Sequence, residues 1–486
     1  MCQSLFGYDT AMDLHISLID RKDLRGEIYR QLRRAIIDGL LNHGDPLPPT
    51  RDLARQLCVS RTTVTVAYDR LAAEGYVSSH VGAGTFVSFQ AGATPEATRK
   101  PRKKGVLAPR PIWDSVELPL PFQAQAQFNF RTGVPDGSLF PSETWRRLVA
   151  RELRSGAGSD SGYGHVAGHA GLREAIARHI AVSRGVQASA ADLTITNGAQ
   201  QALDLTARVL VNPGDTVAIE DPGYRPAARL FRSVGAQVIG VPVDDEGLIV
   251  ASLPARARIV YVTPSHQYPL GVTMSMPRRR SLLAWAERTN SAIIEDDYDS
   301  EFRFGERPVE PLHSLDKSGR VIYIGSFSKT MMPSFRLGFV LAPTSLCRAI
   351  RKAKHVTDWH THLLVQGALA RFIDDGDFAR HVRKIGRVYQ ARHAMILGIL
   401  KQDFADFLTI IPSVAGLHIT ASSHTRSVEE IEAVASRALE LGVEVHPLSL
   451  FSIDALKRPG IVLGYGGIAT GHIDEGLRRL RSCFEA

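Results

Sequence analysis

The spacing of apolar residues changes character three times along this chain. From Asp23 to Leu40, residues Leu24, Ile28, Leu32, Ala35, Ile36 and Ile37 recur on one helical face with basic residues between them, which predicts an amphipathic helix. Asn42-His43-Gly44-Asp45-Pro46 stops it. Thr50 is placed to cap a short helix through Leu57. Ser60 is placed to cap a second, running to about Glu74, with Val64, Ala67, Tyr68 and Leu71 as its core face and Val59 filling the turn between the two. Gly75 ends that helix, and Tyr76–Ser79 and Thr85–Val87 alternate as strands around a Gly82-Ala83-Gly84 tip. The prediction is a helix-turn-helix with a β-hairpin wing over residues 21–89, preceded by an N-terminal arm at 1–20.

The second texture, from Gln90 to Gln127, has no periodicity. It is rich in Pro, Ala, Gln and Gly and carries the run Arg99-Lys100-Pro101-Arg102-Lys103-Lys104, as a flexible basic linker would. The third, residues 128–486, alternates short apolar runs with helical stretches in the manner of an α/β domain. Strands are expected at Leu193–Thr196, Val217–Glu220, Ile259–Thr263, Ala292–Tyr298, Val321–Gly325 and Gly460–Tyr465.

Charge sharpens the first segment. The 486 residues carry a net +8. Between Arg21 and Arg110 there are 16 Lys or Arg against 8 Asp or Glu, so the surplus lies there and the remainder is balanced. A solvated face with a basic linker accounts for this, and so does a polyanion-binding module. The helix-turn-helix pattern favours the latter, with the second helix in the major groove of double-stranded DNA and its first turn, Ser60-Arg61-Thr62-Thr63, at phosphates and base edges. Arg51 and Arg61 are the leading contact candidates, although a surface ion pair would equally explain Arg51. The longest apolar runs are strand-length, too short to span a bilayer, and the N-terminus lacks a basic-then-apolar leader, so a cytoplasmic protein is expected. The four cysteines form no CxxC pair, and neither a metal site nor a disulfide framework is expected.

The chemistry of the large domain centres on Ser326-Phe327-Ser328-Lys329. Asp296-Asp297-Tyr298 lies upstream, after an apolar strand, and Arg336 downstream. An amine, a carboxylate, a phenol and a phosphate-binding cation are what pyridoxal 5'-phosphate requires: a Schiff-base partner, an anion for the pyridinium nitrogen, a donor for the phenolic oxygen and a grip on the phosphate. Asn197-Gly198-Ala199-Gln200-Gln201 opens a helix after a strand and suits a phosphate, though a tight turn reads the same way. Tyr224 is placed to stack on a flat ring or to pack in a turn. His266 is placed to neighbour the phenolic oxygen or to serve as a structural histidine.

These motifs carry resemblances. Leu47-Pro48-Pro49-Thr50-Arg51, Val59-Ser60-Arg61-Thr62-Thr63-Val64, Ala73-Glu74-Gly75-Tyr76 and Gly82-Ala83-Gly84-Thr85-Phe86-Val87 resemble the winged helix-turn-helix of the GntR regulator family. The constellation around Lys329 resembles the type I fold of aminotransferases, with its mostly parallel sheet. Together, over nearly all of residues 21–486, the chain resembles the MocR subgroup of GntR regulators. Gly133-Val134-Pro135-Asp136, Tyr163-Gly164, Gly171-Leu172-Arg173, Thr263-Pro264-Ser265-His266-Gln267 and Glu295 to Phe302 add to that resemblance.

The resemblance implies that Lys329 forms the Schiff base with PLP, that Asp296 pairs with the pyridine nitrogen, and that Tyr298, near His266, contacts the phenolic oxygen. It implies that Tyr224 stacks on the ring, and that Ser326, Arg336, Ala199 and Gln200 bind the phosphate. Tyr163 is implied to reach a partner subunit's cofactor in a homodimer. Arg51, Ser60, Arg61, Thr62, Thr63 and Gly84 are the implied DNA-facing residues. Two departures stand out. Aminotransferases usually carry Asn-Pro-x-Asn-Pro where this chain has Thr263 to Gln267, and a substrate-carboxylate arginine in the strand that here reads Gly460 to Tyr465. Arg458, Arg225 and Arg131 are the alternative carboxylate partners. The expectation is a PLP-dependent transcriptional regulator, sensing PLP or an amine or amino-acid effector through Lys329. The rivals are an active aminotransferase with a fused DNA-binding domain and a cofactor-free scaffold.

Overall fold

In the computed structural model the chain divides into two compact units, Met1–Ala108 and Pro109–Ala486. The structure describes residue 16 and residues 23–80, 84–89, 109–116, 126–154, 163–304, 309–454 and 458–485. The N-terminal arm, most of the expected basic linker and residues 82–83 of the expected wing tip lie outside the described residues.

The first unit has helices Leu24–Ile37, Thr50–Gln56 and Arg61–Ala73. Ile28, Leu32, Ile36, Leu53, Val64, Ala67 and Leu71 meet in its core, the residues that the helical spacing singles out together with the buried face of the short middle helix. Asp23 caps the first helix, accepting from the Gly26 amide at 3.0 Å. Ser60 caps the third, accepting from the Thr63 amide at 3.1 Å. The middle helix differs from expectation. Pro49 is its cap residue, with no side-chain cap bond, and Thr50 is already helical, its hydroxyl accepting instead from Arg61 Nε at 3.4 Å. The wing also gains a strand. Val77–His80 and Gly84–Val87 pair antiparallel as expected, and Pro46–Leu47 joins the outer side of Gly84–Val87, making three strands. A two-residue strand has no periodicity, so the sequence around Pro46 reads only as a helix stop.

The second unit is built on an eight-stranded sheet, in the order Leu193–Thr196, Gly338–Leu341, Val321–Ser326, Ala292–Asp297, Ala257–Val262, Thr216–Asp221, Gln237–Asp244 and Gly247–Leu248. The five strands from Val321–Ser326 to Gln237–Asp244 run parallel. Gly338–Leu341 is antiparallel to both its neighbours, and Gly247–Leu248 to Gln237–Asp244. Helices cover both faces, which is why the strands read as unbroken apolar runs such as Ile259 to Val262 and Val321 to Ile324. A smaller antiparallel sheet orders Leu408–Ile410, His418–Ser423, Gly460–Gly464 and His446–Pro447. It shares a core with the long helix Asp377–Asp403 and the C-terminal helix Ile473–Glu485. Among the described residues no helix is long and apolar enough to cross a membrane. This is the expected α/β architecture, a winged helix-turn-helix unit plus a large domain with a mostly parallel sheet.

Candidate functional site

Parallel strands deliver their carboxyl ends to one edge of the large sheet, the edge at which open α/β sheets bind ligands. Ala292–Asp297 brings Asp296 there, Val321–Ser326 brings Ser326, and Leu193–Thr196 leads into the helix that begins at Gly198. The result is a cavity of about 290 Å³. Its walls include Lys329, Asp296, Tyr298, Tyr224, Ser326, Arg336, Ala199 and Gln200, all named from the sequence, and also Thr132, Gly133, Tyr261, Tyr268, Asp299 and His418.

Lys329 Nζ donates to the Gly133 carbonyl at 2.7 Å. Burial pushes its pKa down, against the pull of Asp299 and Asp296, and Arg336 pushes the same way as burial. A lowered pKa favours the neutral, nucleophilic amine. Gly133 has φ +78°, and a Cβ there would lie 2.8 Å from Lys329 Nζ, so the backbone approach to the amine needs glycine.

Asp296 is 4% exposed. One oxygen accepts from the Tyr261 hydroxyl at 2.8 Å, and the other, Oδ1, is buried without a protein partner. Burial raises its pKa to about 7. The Tyr261 bond and Lys329 oppose the rise, and Asp297 and Asp299 add to it. A buried, half-satisfied carboxylate is costly unless a cationic or N–H partner meets it. Tyr298 hydroxyl lies 3.0 Å from His266 Nδ1 and donates to the His266 carbonyl at 3.0 Å. His266 Nδ1 in turn faces Asp299 Oδ2 at 2.9 Å, and Nε2 faces Ser413 at 3.1 Å. His266 therefore backs the phenol rather than lining the cavity. His266, Asp299 and His418 also bring one potential ligand atom each within 4.8 Å of one another.

At the opposite end Arg336, at φ +50°, donates to the Asn197 carbonyl at 2.9 Å. A Cβ on Gly198 (φ +74°) would come within 2.9 Å of its guanidinium. Arginine, helix N-terminus and the Ser326 hydroxyl form a cradle suited to a phosphate. Tyr224 lies near-parallel to Tyr261, ring centres 6.4 Å apart, with its phenol pKa raised by burial.

Tyr163, like His266, is a predicted residue that does not line this cavity. It is 78% exposed and packs on Trp359, ring centres 4.2 Å apart. The arginines considered for a carboxylate also lie elsewhere. Arg131 pairs with Glu444 at 3.2 Å, Arg225 reaches the Leu450 carbonyl at 3.3 Å, and Arg458 bonds the Val243 carbonyl at 3.0 Å. Sequence reasoning missed Tyr261 and His418. Tyr261 sits inside an apolar strand run, and His418 is brought in by the small sheet from some ninety residues beyond Lys329.

On the first unit, Arg51, Ser60, Arg61, Thr62 and Gly84 are exposed. Thr63 is not: it is buried, its hydroxyl 2.8 Å from Ser60 Oγ, so it locks the helix cap instead of facing outward.

Fold and site together define a class of protein, a winged helix-turn-helix joined to a PLP-dependent aminotransferase-type domain. Residues 24–87 match the model of the bacterial regulatory proteins of the gntR family, and residues 125–453 that of aminotransferase class I and II. The chain is 39% identical over 474 residues to the probable rhizopine catabolism regulatory protein MocR of Rhizobium meliloti, covering 95% of this chain and 93% of that protein. It is 31% identical to the pyridoxine biosynthesis transcriptional regulator PdxR of Corynebacterium glutamicum, over 90% and 91% of the two chains. Among solved structures, the Pyrococcus horikoshii kynurenine aminotransferase in complex with PMP superposes with TM-score 0.69 at 29% identity, covering 74% of this chain and 91% of that one. The chain belongs to the MocR subgroup of gntR-family transcriptional regulators, DNA-binding proteins with an aminotransferase-like domain whose cofactor is PLP.

Proposed function

We propose that this regulator binds operator DNA as a homodimer and that occupancy of the Lys329 cavity sets its affinity for that DNA. The observation that carries the reading is Asp296 Oδ1, a buried carboxylate oxygen with no protein partner beside the lysine amine, which fits the pyridine nitrogen of PLP. When bound, the cofactor supplies an electrophilic aldehyde carbon and an electron-withdrawing ring.

This chain's residues do the rest. Lys329 offers a readily deprotonated amine. Asp296 would hold a proton on the ring nitrogen, and Tyr298, whose hydroxyl here donates to the His266 carbonyl, would turn that hydroxyl proton to the phenolic oxygen. Tyr224 covers one ring face, and Arg336, Ser326, Ala199 and Gln200 hold the phosphate. Arg51, Arg61 and Thr62 meet DNA, with Ser60 presenting the helix N-terminus. Exposed Tyr163 reaches a partner subunit. An amine or amino acid that enters beside Lys329 shifts the DNA-binding equilibrium by binding two arrangements of the chain with different affinity.

The test is the fraction of labelled promoter DNA bound by wild-type protein and by Lys329→Ala, with and without PLP and a panel of amines. The reading expects ligand-dependent affinity in wild type and none in Lys329→Ala. Identical, ligand-independent binding by both would overturn it. Steady turnover of an amino acid with a keto acid would instead favour an enzyme with a fused DNA-binding domain.

A further inference from the structure

Asn197 heads the helix Gly198–Leu210 at the phosphate end of the cavity, yet its side chain makes no cap bond to that helix. Asparagine at such a position usually spends its side chain on the free amides of the first turn. Here it reaches away from them. Nδ2 donates to Asp358 Oδ2 at 2.8 Å, and Gly198, at φ +74°, turns the chain into the helix with no side chain of its own. The backbone of Asn197 is held as well. Its N–H donates to Gln201 Oε1 at 2.8 Å, and its carbonyl accepts from Arg336 at 2.9 Å. The carbonyl that orients the Arg336 guanidinium therefore belongs to a residue fixed on three sides, and its side chain leaves the first-turn amides to a ligand.

Asp358 is the last residue of the helix Thr344–Asp358, 161 residues along the chain from Asn197. Its Oδ2 also accepts from Gln201 Nε2 at 2.7 Å, and its Oδ1 accepts from Lys354 Nζ at 3.0 Å. The Lys354 side chain is fully buried, and its ammonium also donates to Gln201 Oε1 at 2.9 Å and to Thr361 Oγ1 at 3.0 Å. A carboxylate standing alone behind the cradle would oppose a phosphate dianion. Paired with the ammonium, it serves as an acceptor without adding net negative charge. A network in which donors and acceptors are matched in this way is rigid, and it holds Asn197 in one place.

We propose that Asp358 is a positioning residue for the cofactor's phosphate, acting through Asn197 on Arg336 and on the start of the helix, with Lys354 as its counter-charge. The inference rests on the placement of the phosphate at Arg336, Ser326, Ala199 and Gln200 in the reading above. It extends that placement to a carboxylate outside the residues that line the cavity.

Titration of the cofactor-free, full-length protein with PLP and with pyridoxal tests this. Pyridoxal has the same ring and aldehyde and no phosphate, and the visible band of the bound form is followed for both. The expectation is that Asp358→Ala lowers the PLP-to-pyridoxal affinity ratio roughly tenfold, the scale of one hydrogen bond to a charged group, and that Asn197→Ala lowers it too. The double variant should fall no further than Asp358→Ala, because the carboxylate acts through the asparagine. Asp358→Asn, which keeps an acceptor oxygen for Asn197, should recover part of the ratio. Equal weakening of PLP and pyridoxal in Asp358→Ala overturns the inference and makes the residue an anchor of the fold alone. Losses that multiply in the double variant also overturn it. Should Asp358→Ala fail to fold, Asn197→Ala decides, since it leaves the Lys354–Asp358 pair intact: a ratio at the wild-type value overturns the inference while the phosphate placement stands. A wild type that binds PLP no more tightly than pyridoxal overturns the phosphate placement and this inference together.

Discussion

The third helix of the winged unit and the Lys329 cavity both serve ligands rich in phosphate chemistry, yet they are built in opposite ways. On the helix, Arg61 and Thr62 are exposed, as is Ser60, which holds the cap together with buried Thr63. In the cavity the lysine and the carboxylate beside it are desolvated, and that burial itself sets their behaviour. Asp296 is pushed up to about 7, and Lys329 is pushed down. A surface that meets a polyanion needs charge in water, at little cost to folding. A cavity that must hold a reactive amine beside a carboxylate keeps desolvated charge waiting for its partner. Substitutions of the exposed Arg61 and Thr62 should therefore act on affinity alone, and substitutions in the cavity on both affinity and pH-dependent stability.

The largest effect is expected at Lys329. Lys329→Ala should lose the stable visible cofactor absorption entirely, checked by spectra after dialysis, and a variant that keeps the band would break the contrast. Asp296 sharpens it through pH. Its folded pKa lies above the ordinary carboxylate value, so in cofactor-free protein it favours folding below that value and loses its contribution as pH rises through about 7. Asp296→Asn should thus raise the melting temperature of cofactor-free protein at pH 8, with the advantage shrinking toward pH 4. With PLP bound the sign should reverse at pH 8, because the ring nitrogen loses its anion. Thermal melts at the two pH values, with and without PLP, check all of these.

On the DNA side Arg61→Ala should weaken binding roughly tenfold at moderate salt and lower the salt-dependence slope by about one, leaving the melting temperature and cofactor band unchanged. Anisotropy titrations across a salt series measure it. The smallest effect is structural. Ser60→Ala removes the cap on the third helix and should cost about 1 kcal/mol of winged-unit stability, read by chemical denaturation.

The two regions also differ in how far the sequence alone discloses them. Local signals carry the winged unit: Ser60 as a cap, Val64 to Leu71 as a core face, and alternation in the wing. What escaped is local too, a two-residue strand at Pro46–Leu47 and a cap at Pro49 that makes no side-chain bond. In the cavity the cofactor half is legible because Asp296, Tyr298, Ser326, Lys329 and Arg336 sit at strand ends and turns within some forty residues. The opposite wall is assembled from Thr132, Tyr268 and His418, nearly three hundred residues apart in sequence, and only the fold brings them together. Thr63 and Tyr163 show the remaining limit. Spacing places a residue on an element, while burial of one and exposure of the other come from tertiary packing.

The most direct test of the account is the visible absorption of the purified, PLP-loaded protein during titration with primary amines, followed by addition of a keto acid. The account predicts a yellow protein whose band shifts with a preferred amine, stays in the visible range and does not respond to the keto acid, as a sensor requires. Progressive conversion to the pyridoxamine phosphate spectrum, reversed by the keto acid, would contradict it and make the large domain a working aminotransferase.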